Sequence, residues 1–181
     1  MSATSDRAAI ERAHHGWWAA NRGLDIEGMT RDLAEDFLMW NLNGHPYFDR
    51  EELKRLVYHY RAHLVPTEPP ELWDIQVTTG ADLAYVTAEG VLPITVMSDN
   101  GAGAALITRM ADCYETSGDV VRFHFRETMV LRREPYAEHA WRICHFHCSP
   151  LAPADEPRPG FNDSGATRGR RGETIAMTDA S

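Results

Sequence analysis

The stretch WRICHFHCSP, residues 141–150, carries Cys144, His145, His147, Cys148 and Ser149 within five positions of one another. Imidazoles and thiolates hold zinc when they converge on one ion, and an imidazole beside a thiol or hydroxyl is a nucleophilic dyad. Successive side chains of a strand point to opposite faces. On that arithmetic Trp141, Ile143, His145, His147 and Ser149 share one face, and Arg142, Cys144, Phe146 and Cys148 share the other. Histidines and cysteines then point apart unless a bulge intervenes. With no CxxC pair and no HExxH nearby, no metal is expected.

Other groups able to move protons or hold an anion are scattered along the chain. His14 lies one turn before Trp17, and an imidazole titrating near 6.5 suits base work, although a hydrogen-bonded core histidine is an equal reading. Tyr60 and His63 are candidates from one helix, with core packing the alternative for Tyr60. His45 and Tyr47 sit in a turn where a loop could close over a guest. His145 and His147 have a structural or interface reading beside a binding one. Arg109, His124 and Arg126 fall in strand-like segments, where an inward arginine would hold a phenolate or carboxylate and an outward one would be solvated. The five tryptophans are Trp17, Trp18, Trp40, Trp73 and Trp141. Mostly they are core, but flat rings also suit an aromatic guest.

The elements that must position these groups follow from periodicity. Ile10, Ala13, Trp17 and Ala20 recur at helical spacing from about Asp6 to Arg22, with His14 and Asn21 on the same stripe, and Gly23 ends the helix. Asp25 can cap a second helix, DIEGMTRDLAEDF, with Ile26, Met29 and Leu33 pointing one way. FLMWN reads as a short strand and NGHPY as a turn. Asp49 followed by Glu52 is a capping box for a third helix, REELKRLVYHYRAHL, whose stripe is Leu53, Leu56, Val57, Tyr60 and Leu64. Pro66, Pro69 and Pro70 stop it. Beyond Pro70 the period shortens to that of strands, and VVRFHFRETMVLRRE and AWRICHFHCS form an antiparallel hairpin. SDNGAGAALITRMADCYETSGD reads as loop, strand or both. The prediction is an α+β domain over residues 1–150: a cone-shaped roll in which a curved antiparallel sheet is covered by three N-terminal helices around an internal pocket. Residues 151–181 are rich in Pro, Gly and charge and are expected to form a flexible tail.

Composition narrows the partners. The 181 residues carry a net charge of -9 and a pI near 5.4, which disfavours nucleic acid and anionic membrane because phosphates need Lys and Arg. The three cysteines have no disulfide spacing, there is no secretory pattern at the N-terminus, and no apolar run is long enough to span a bilayer. A cytoplasmic protein is expected.

RETMVLRRE…WRICHFHCSP resembles the closing hairpin of nuclear transport factor 2-like, or SnoaL-like, proteins, and the association domain of calcium/calmodulin-dependent kinase II ends in a similar way. WWAANRGLDIEGMTRDLAEDF and NLNGHPYFDREELKRLVYHY resemble the family's first two helices and the approach to its third. The resemblance covers Asp6 to Pro150. It implies a cofactor-free protein that binds an apolar or aromatic small molecule in the cone and assembles as a homodimer or larger homo-oligomer. Where ketosteroid isomerase relatives place their general-base aspartate this chain has Asn41, an amide that can orient but not abstract a proton. Where they place an oxyanion-binding tyrosine it has Trp17. The expected catalytic set is His14, Asn41, Tyr60 and His63. The expected binding set is Trp17, Trp18, Trp40, His45, Tyr47, Arg109, Arg126, His145 and His147. The expected activity is a cofactor-independent lyase, dehydratase or isomerase acting on an aromatic or polycyclic molecule, such as a diaryl lignin fragment undergoing deformylation. Two alternatives are a non-catalytic assembly or binding module and a metal-independent carbonic anhydrase. The histidine-rich last strand of that branch ends in consecutive serines, whereas only Ser149 stands here.

Overall fold

In the computed structural model, residues 3–66, 68–97, 114–117, 120–134, 136, 141–151 and 175–176 are described. Arg109 and most of the glycine-rich segment before it lie outside them. Three helices, α1 (Ala3–Arg22), α2 (Ile26–Thr30) and α3 (Arg50–His63), accompany nine strands: β1 (Leu33–Trp40), β2 (Pro46–Tyr47), β3 (Leu64–Pro66), β4 (Glu71–Thr79), β5 (Leu83–Val96), β6 (Tyr114–Ser117), β7 (Val120–Arg133), β8 (Trp141–Pro150) and β9 (Ile175–Ala176). The strands form one sheet in the order β2-β1-β8-β7-β5-β4-β9, with β3 added to β5 and β6 to β7. Every pairing is antiparallel except that of β1 with β8, which is parallel.

The β5–β7 pair is the spine, in register from Leu83↔Arg132 to Thr95↔Val120. Each spine strand changes partner part-way. β5 pairs with β4 over its first half and with β3 at its end, while β7 pairs first with β6 and then with β8. Strands that exchange neighbours in this way curl the sheet, and register shifts in β4, β1 and β8 add local bends. Along β7 the residues Val121, Phe123, Phe125, Glu127, Met129 and Leu131 are buried while their alternates are not. That inner face packs on α1 through Ile10, Trp17 and Trp18 and on α3 through Leu53, Leu56 and Val57. Gly90 permits a close approach: a Cβ there would sit 2.7 Å from Leu72 Cδ2 and from Phe125 Cζ.

The N-terminal turn of α1 is tied to the β7–β8 hairpin. Arg133 donates from Nη1 to Asp6 Oδ1 (3.0 Å) and from Nη2 to Oδ2 (2.7 Å), Trp141 Nε1 donates to the same carboxylate (3.3 Å), and the guanidinium lies 4.3 Å over the Trp141 ring. The hydrogen bonds from Arg133 hold the Asp6 carboxyl below its ordinary value of 3.8. A carboxyl with a depressed folded pKa contributes stability that is complete above the unfolded value and disappears as pH falls through the folded one. Asp6→Asn is therefore expected to lower the urea midpoint at pH 7 and to flatten its decline between about pH 5 and pH 2. An unchanged acid limb in the variant would contradict this role.

Two sequence expectations need correction. The second helix ends at Thr30, not at Phe37: Ile143 N–H donates to Asp32 O (2.7 Å), and residues from Leu33 onward are drawn into the sheet beside β8. Asp25 occupies the N-cap of α2 without a side-chain capping bond. α1 ends at Arg22 with Gly23 next, as read, and the left-handed residue follows at Leu24 (φ 48°); Leu24 N–H donates to Asn21 O and Asp25 N–H to Ala20 O, a Schellman pattern with an unusual leucine. Within the C-terminal segment, Ile175 and Ala176 pair with Leu72 and Glu71 on the β4 edge. The capping box is as read: Glu52 N–H donates to Asp49 Oδ1 (2.7 Å), and the Glu52 carboxylate accepts from Phe48 N–H.

Candidate functional site

The cavity lies where the inner face divides. One apolar cluster is built on α1, α3, β1, β7 and β8, and a smaller one comprises Leu64, Ile94, Val121 and Phe123; Leu42, Tyr60 and Leu92 pack against both. Between them is a cavity of about 100 Å³. Trp18, Phe125 and Phe146 wall it on one side and Leu64, Ile94 and Phe123 on the other, with Leu24, Met39 and Cys148 filling in. Leu24 carries its left-handed backbone at this wall, the kind of local strain that gathers at binding sites.

The polar side chains of the lining are Asn21, Asn41 and Tyr60, the last two brought together by Asn43. The loop after β1 orders two of them. Asn43 Oδ1 accepts from His45 N–H (3.0 Å), so its Nδ2 must face the phenols, donating to Tyr47 Oη (2.8 Å) and Tyr60 Oη (3.0 Å). Asn41 Oδ1 likewise accepts from Asn43 N–H (3.0 Å), which turns Asn41 Nδ2 inward, where its near contact is Met39 Sδ at 3.9 Å. Tyr60 thus receives a hydrogen bond and keeps its own O–H to give. Burial, reinforced by neighbouring Tyr47, pushes its phenol above the ordinary value of 10. It is a lasting donor and not a base. Among the described lining residues there is no carboxylate, imidazole or cation.

His14 and Trp18 meet a carboxylate that sequence reading had not singled out. Glu127 is 3% exposed, His14 1%. His14 Nε2 stands 2.5 Å from Glu127 Oε1, a contact that requires a proton between them, and Trp18 Nε1 donates to Oε2 (2.9 Å) and Oε1 (3.1 Å). The cavity lining includes Trp18 but neither His14 nor Glu127. Glu127 was visible in principle: it interrupts the apolar alternation Phe123, Phe125, Met129, Leu131.

The remaining expected residues are dispersed. Trp17 is buried against Phe146 (5.1 Å between ring centres) and Phe37 (6.3 Å), off the cavity, its indole N–H without a protein partner. His63 packs against His59 with the rings tilted (4.7 Å between centres), and His45 is an exposed loop residue; neither lines the cavity. Tyr47 takes part only through Asn43. His145 and His147 reverse the face assigned to them. Leu131 pairs with Ile143 but Val130 with His145, so Cys144 is an extra residue, and Phe146 and Cys148 turn inward in place of the histidines. Both imidazoles meet the edge of Trp40 (5.1 and 5.4 Å) on the outer face of the sheet, and burial lowers the pKa of His145. Arg126 is also on that face, 3.8 Å from Glu89. Trp40, Arg126, His145 and His147 therefore do not face the cavity. Among the described residues no three His, Cys, Asp or Glu side chains converge as a metal site requires.

No protein-family model matches the sequence, and no curated protein does. Solved structures resemble it closely in shape. A ketosteroid isomerase-like protein from Erwinia carotovora atroseptica is 18% identical, covers 81% of this chain and 96% of its own, and superposes with a TM-score of 0.61. A proposed dehydratase of the NTF2-like family from Streptomyces avermitilis is also 18% identical, with coverages of 83% and 99% and a TM-score of 0.58. The fold is the nuclear transport factor 2-like cone. A proposed calcium/calmodulin-dependent protein kinase type II association domain from Thiobacillus denitrificans shares the NTF2-like architecture at 19% identity, with coverages of 78% and 94% and a TM-score of 0.54. Identities this low establish the fold and leave the chemistry to the site itself. Among the described residues of this NTF2-like chain, no helix is long and apolar enough to cross a membrane.

Proposed function

We propose that the cone receives a compact, uncharged, mainly apolar molecule carrying one acceptor oxygen, and that Tyr60 and Asn41 hold that oxygen. The observation that carries this reading is the pair of oriented donors that Asn43 brings together in a mainly apolar cavity. A carbonyl held there is polarised, and an oxyanion developing on it is stabilised where little water competes. That step is common to the cofactor-independent lyase, dehydratase and isomerase chemistries, and the dehydratase-like and ketosteroid isomerase-like neighbours accord with it. Donors without a base favour reactions in which charge stabilisation does most of the work. The volume is on the scale of the ~150 Å³ engineered cavity that admits benzene, so a single ring suits it better than a diaryl lignin fragment. Cys144 and Cys148 as reduced thiols accord with a cytoplasmic setting.

Cyclohexanone, methylcyclohexane and cyclohexanecarboxylate have similar shapes and differ at the polar end. Saturation-transfer NMR is expected to rank the ketone first and to reject the carboxylate, which finds no cation. Tyr60→Phe, which removes one neutral hydrogen bond, should weaken ketone binding by about 3- to 10-fold and leave the hydrocarbon unchanged. Preference for the carboxylate, or equal ketone affinity in the variant, would sink the reading.

A second reading, as an assembly module, is favoured by the outer sheet face. Trp40, Leu83 and Tyr85 are 51%, 56% and 46% exposed there. Two rows cross the strands without a formally charged Asp, Glu, Lys or Arg: Trp40, His147, Thr128 and Thr87, then Leu38, His145, Val130 and Tyr85. A second copy of the chain is the proposed occupant. Light scattering should give a dimer or larger assembly, and Tyr85→Lys combined with Trp40→Glu should lower its mass; a wild-type monomer at high concentration would contradict this.

A further inference from the structure

We propose that Glu127 is a positioning residue for the cavity, acting through Trp18: its carboxylate turns the indole N–H away from the guest, so that Trp18 presents only ring carbons to the cavity. The inference rests on the cavity reading above and adds to it the residue that sets the character of one wall.

A carboxylate on the inner face of a sheet, between Phe125 and Met129, is costly unless donors surround it. Its two protein donors come from successive turns of α1, His14 and Trp18, four residues apart and therefore on one side of the helix. Trp18 Nε1 reaches both oxygens, a fork that fixes the indole about its own axis. Ring packing alone defines that rotation less well. Trp18 stacks on Phe125 at 5.0 Å with a 24° tilt and meets the edge of Phe146 at 6.2 Å, contacts that fix the plane but would tolerate a flipped ring. The neighbouring tryptophan supplies the comparison. Trp17 is equally buried and ring-packed, yet among the described residues its N–H has no partner and it does not reach the cavity. Of the two, the tryptophan that forms the wall is the one with an anchor.

The chemical consequence is selectivity. With the indole N–H committed to Glu127, Trp18 adds no donor to the lining amides of Asn21 and Asn41 and the Tyr60 phenol, and the paired Tyr60 and Asn41 donors give the guest's oxygen its preferred direction. A released indole would place a competing donor on the opposite wall, or shift the ring into the space the guest needs.

The test uses the full chain with Glu127→Gln and Glu127→Met. Glutamine keeps one acceptor for Trp18 and can donate to an unprotonated His14 ring nitrogen; methionine fills similar space and accepts almost nothing. Two readouts are followed: the Trp18 indole N–H resonance, assigned by its loss in Trp18→Phe, and the affinity for cyclohexanone. Glu127→Gln is expected to keep the resonance near its native position and the affinity within about threefold. Glu127→Met should move the resonance upfield and weaken cyclohexanone by about tenfold or more, ~1.4 kcal/mol per decade. Should Glu127→Met fail to fold, His14→Phe combined with Glu127→Leu removes both ends of the buried pair and releases the same indole, with the same two expectations. A purely structural Glu127 would lower the urea midpoint while leaving the resonance and the affinity in place, and that result overturns the proposal. Failure of the wild type to bind cyclohexanone would instead refute the cavity reading, and the indole resonance would still decide the role of Glu127.

Discussion

Phe146→Ala is expected to cost about 3–5 kcal/mol of folding stability and to widen the range of accepted guests. Phe146 is 2% exposed and lies on β8 between α1 and the cavity: it packs on Trp17, edges Trp18, and forms part of the cavity wall. Removing the ring strips contacts from both tryptophans. The space cannot collapse easily, because α1 is anchored at its far end by Asp6 and Arg133. The lost ring therefore adds to the existing cavity. Urea unfolding should report the stability loss, and 1-tetralone, a bicyclic ketone, should bind the variant but not the native protein. Equal exclusion of 1-tetralone by both would show that Phe146 does not bound the binding space.

Glu127→Ala should cost a similar amount, about 3–5 kcal/mol, for a different reason. Alanine leaves His14 and Trp18 with buried donors and no acceptor, and it leaves a hole between Phe125 and Met129. In a protein of this size each kcal/mol is worth about 2–4 °C, so the melting temperature should fall by roughly 6–20 °C. Glu127→Gln, which keeps the shape and one acceptor, should cost much less. Equal losses in the two variants would mean that packing volume, not hydrogen bonding, dominates at this position.

Local features of the fold were legible because their causes are local. The stripe Ile10, Ala13, Trp17 and Ala20, the Asp49–Glu52 capping box and the β7–β8 hairpin each depend on spacing within a few residues. What escaped depends on pairing partners. Whether Leu33 continues a helix or starts a strand is decided by β8, which offers Asp32 O a hydrogen bond from Ile143. Whether His145 faces in or out is decided by the bulge at Cys144, a mismatch in register with β7 that no alternation within β8 can announce. Leu24 in a left-handed turn next to an available glycine defies residue preference, and the aspartate and leucine that follow α1 set the cap geometry instead.

The site was legible to a similar depth. Tyr60 on the α3 stripe, Asn41 after β1 and Trp18 on α1 all line the cavity, and each stood among the expected residues. Their roles came from groups that had not been weighed. Asn43 orders Tyr60 and Asn41 through hydrogen bonds made from a turn whose Asn43 and Gly44 were read only as turn formers. Glu127 binds Trp18 and His14 from a position 109 residues beyond Trp18 in sequence, a contact created by the sheet alone.

The central claim is that the cone's interior is a guest site directed by Tyr60 and Asn41. A crystal structure of the protein grown with cyclohexanone tests it most directly. The account predicts the ring between Trp18, Phe125 and Phe146, with its oxygen within hydrogen-bonding distance of Tyr60 Oη and Asn41 Nδ2. A ketone bound on the outer face beside Trp40 or Tyr85, with the interior closed by repacked side chains, would contradict it.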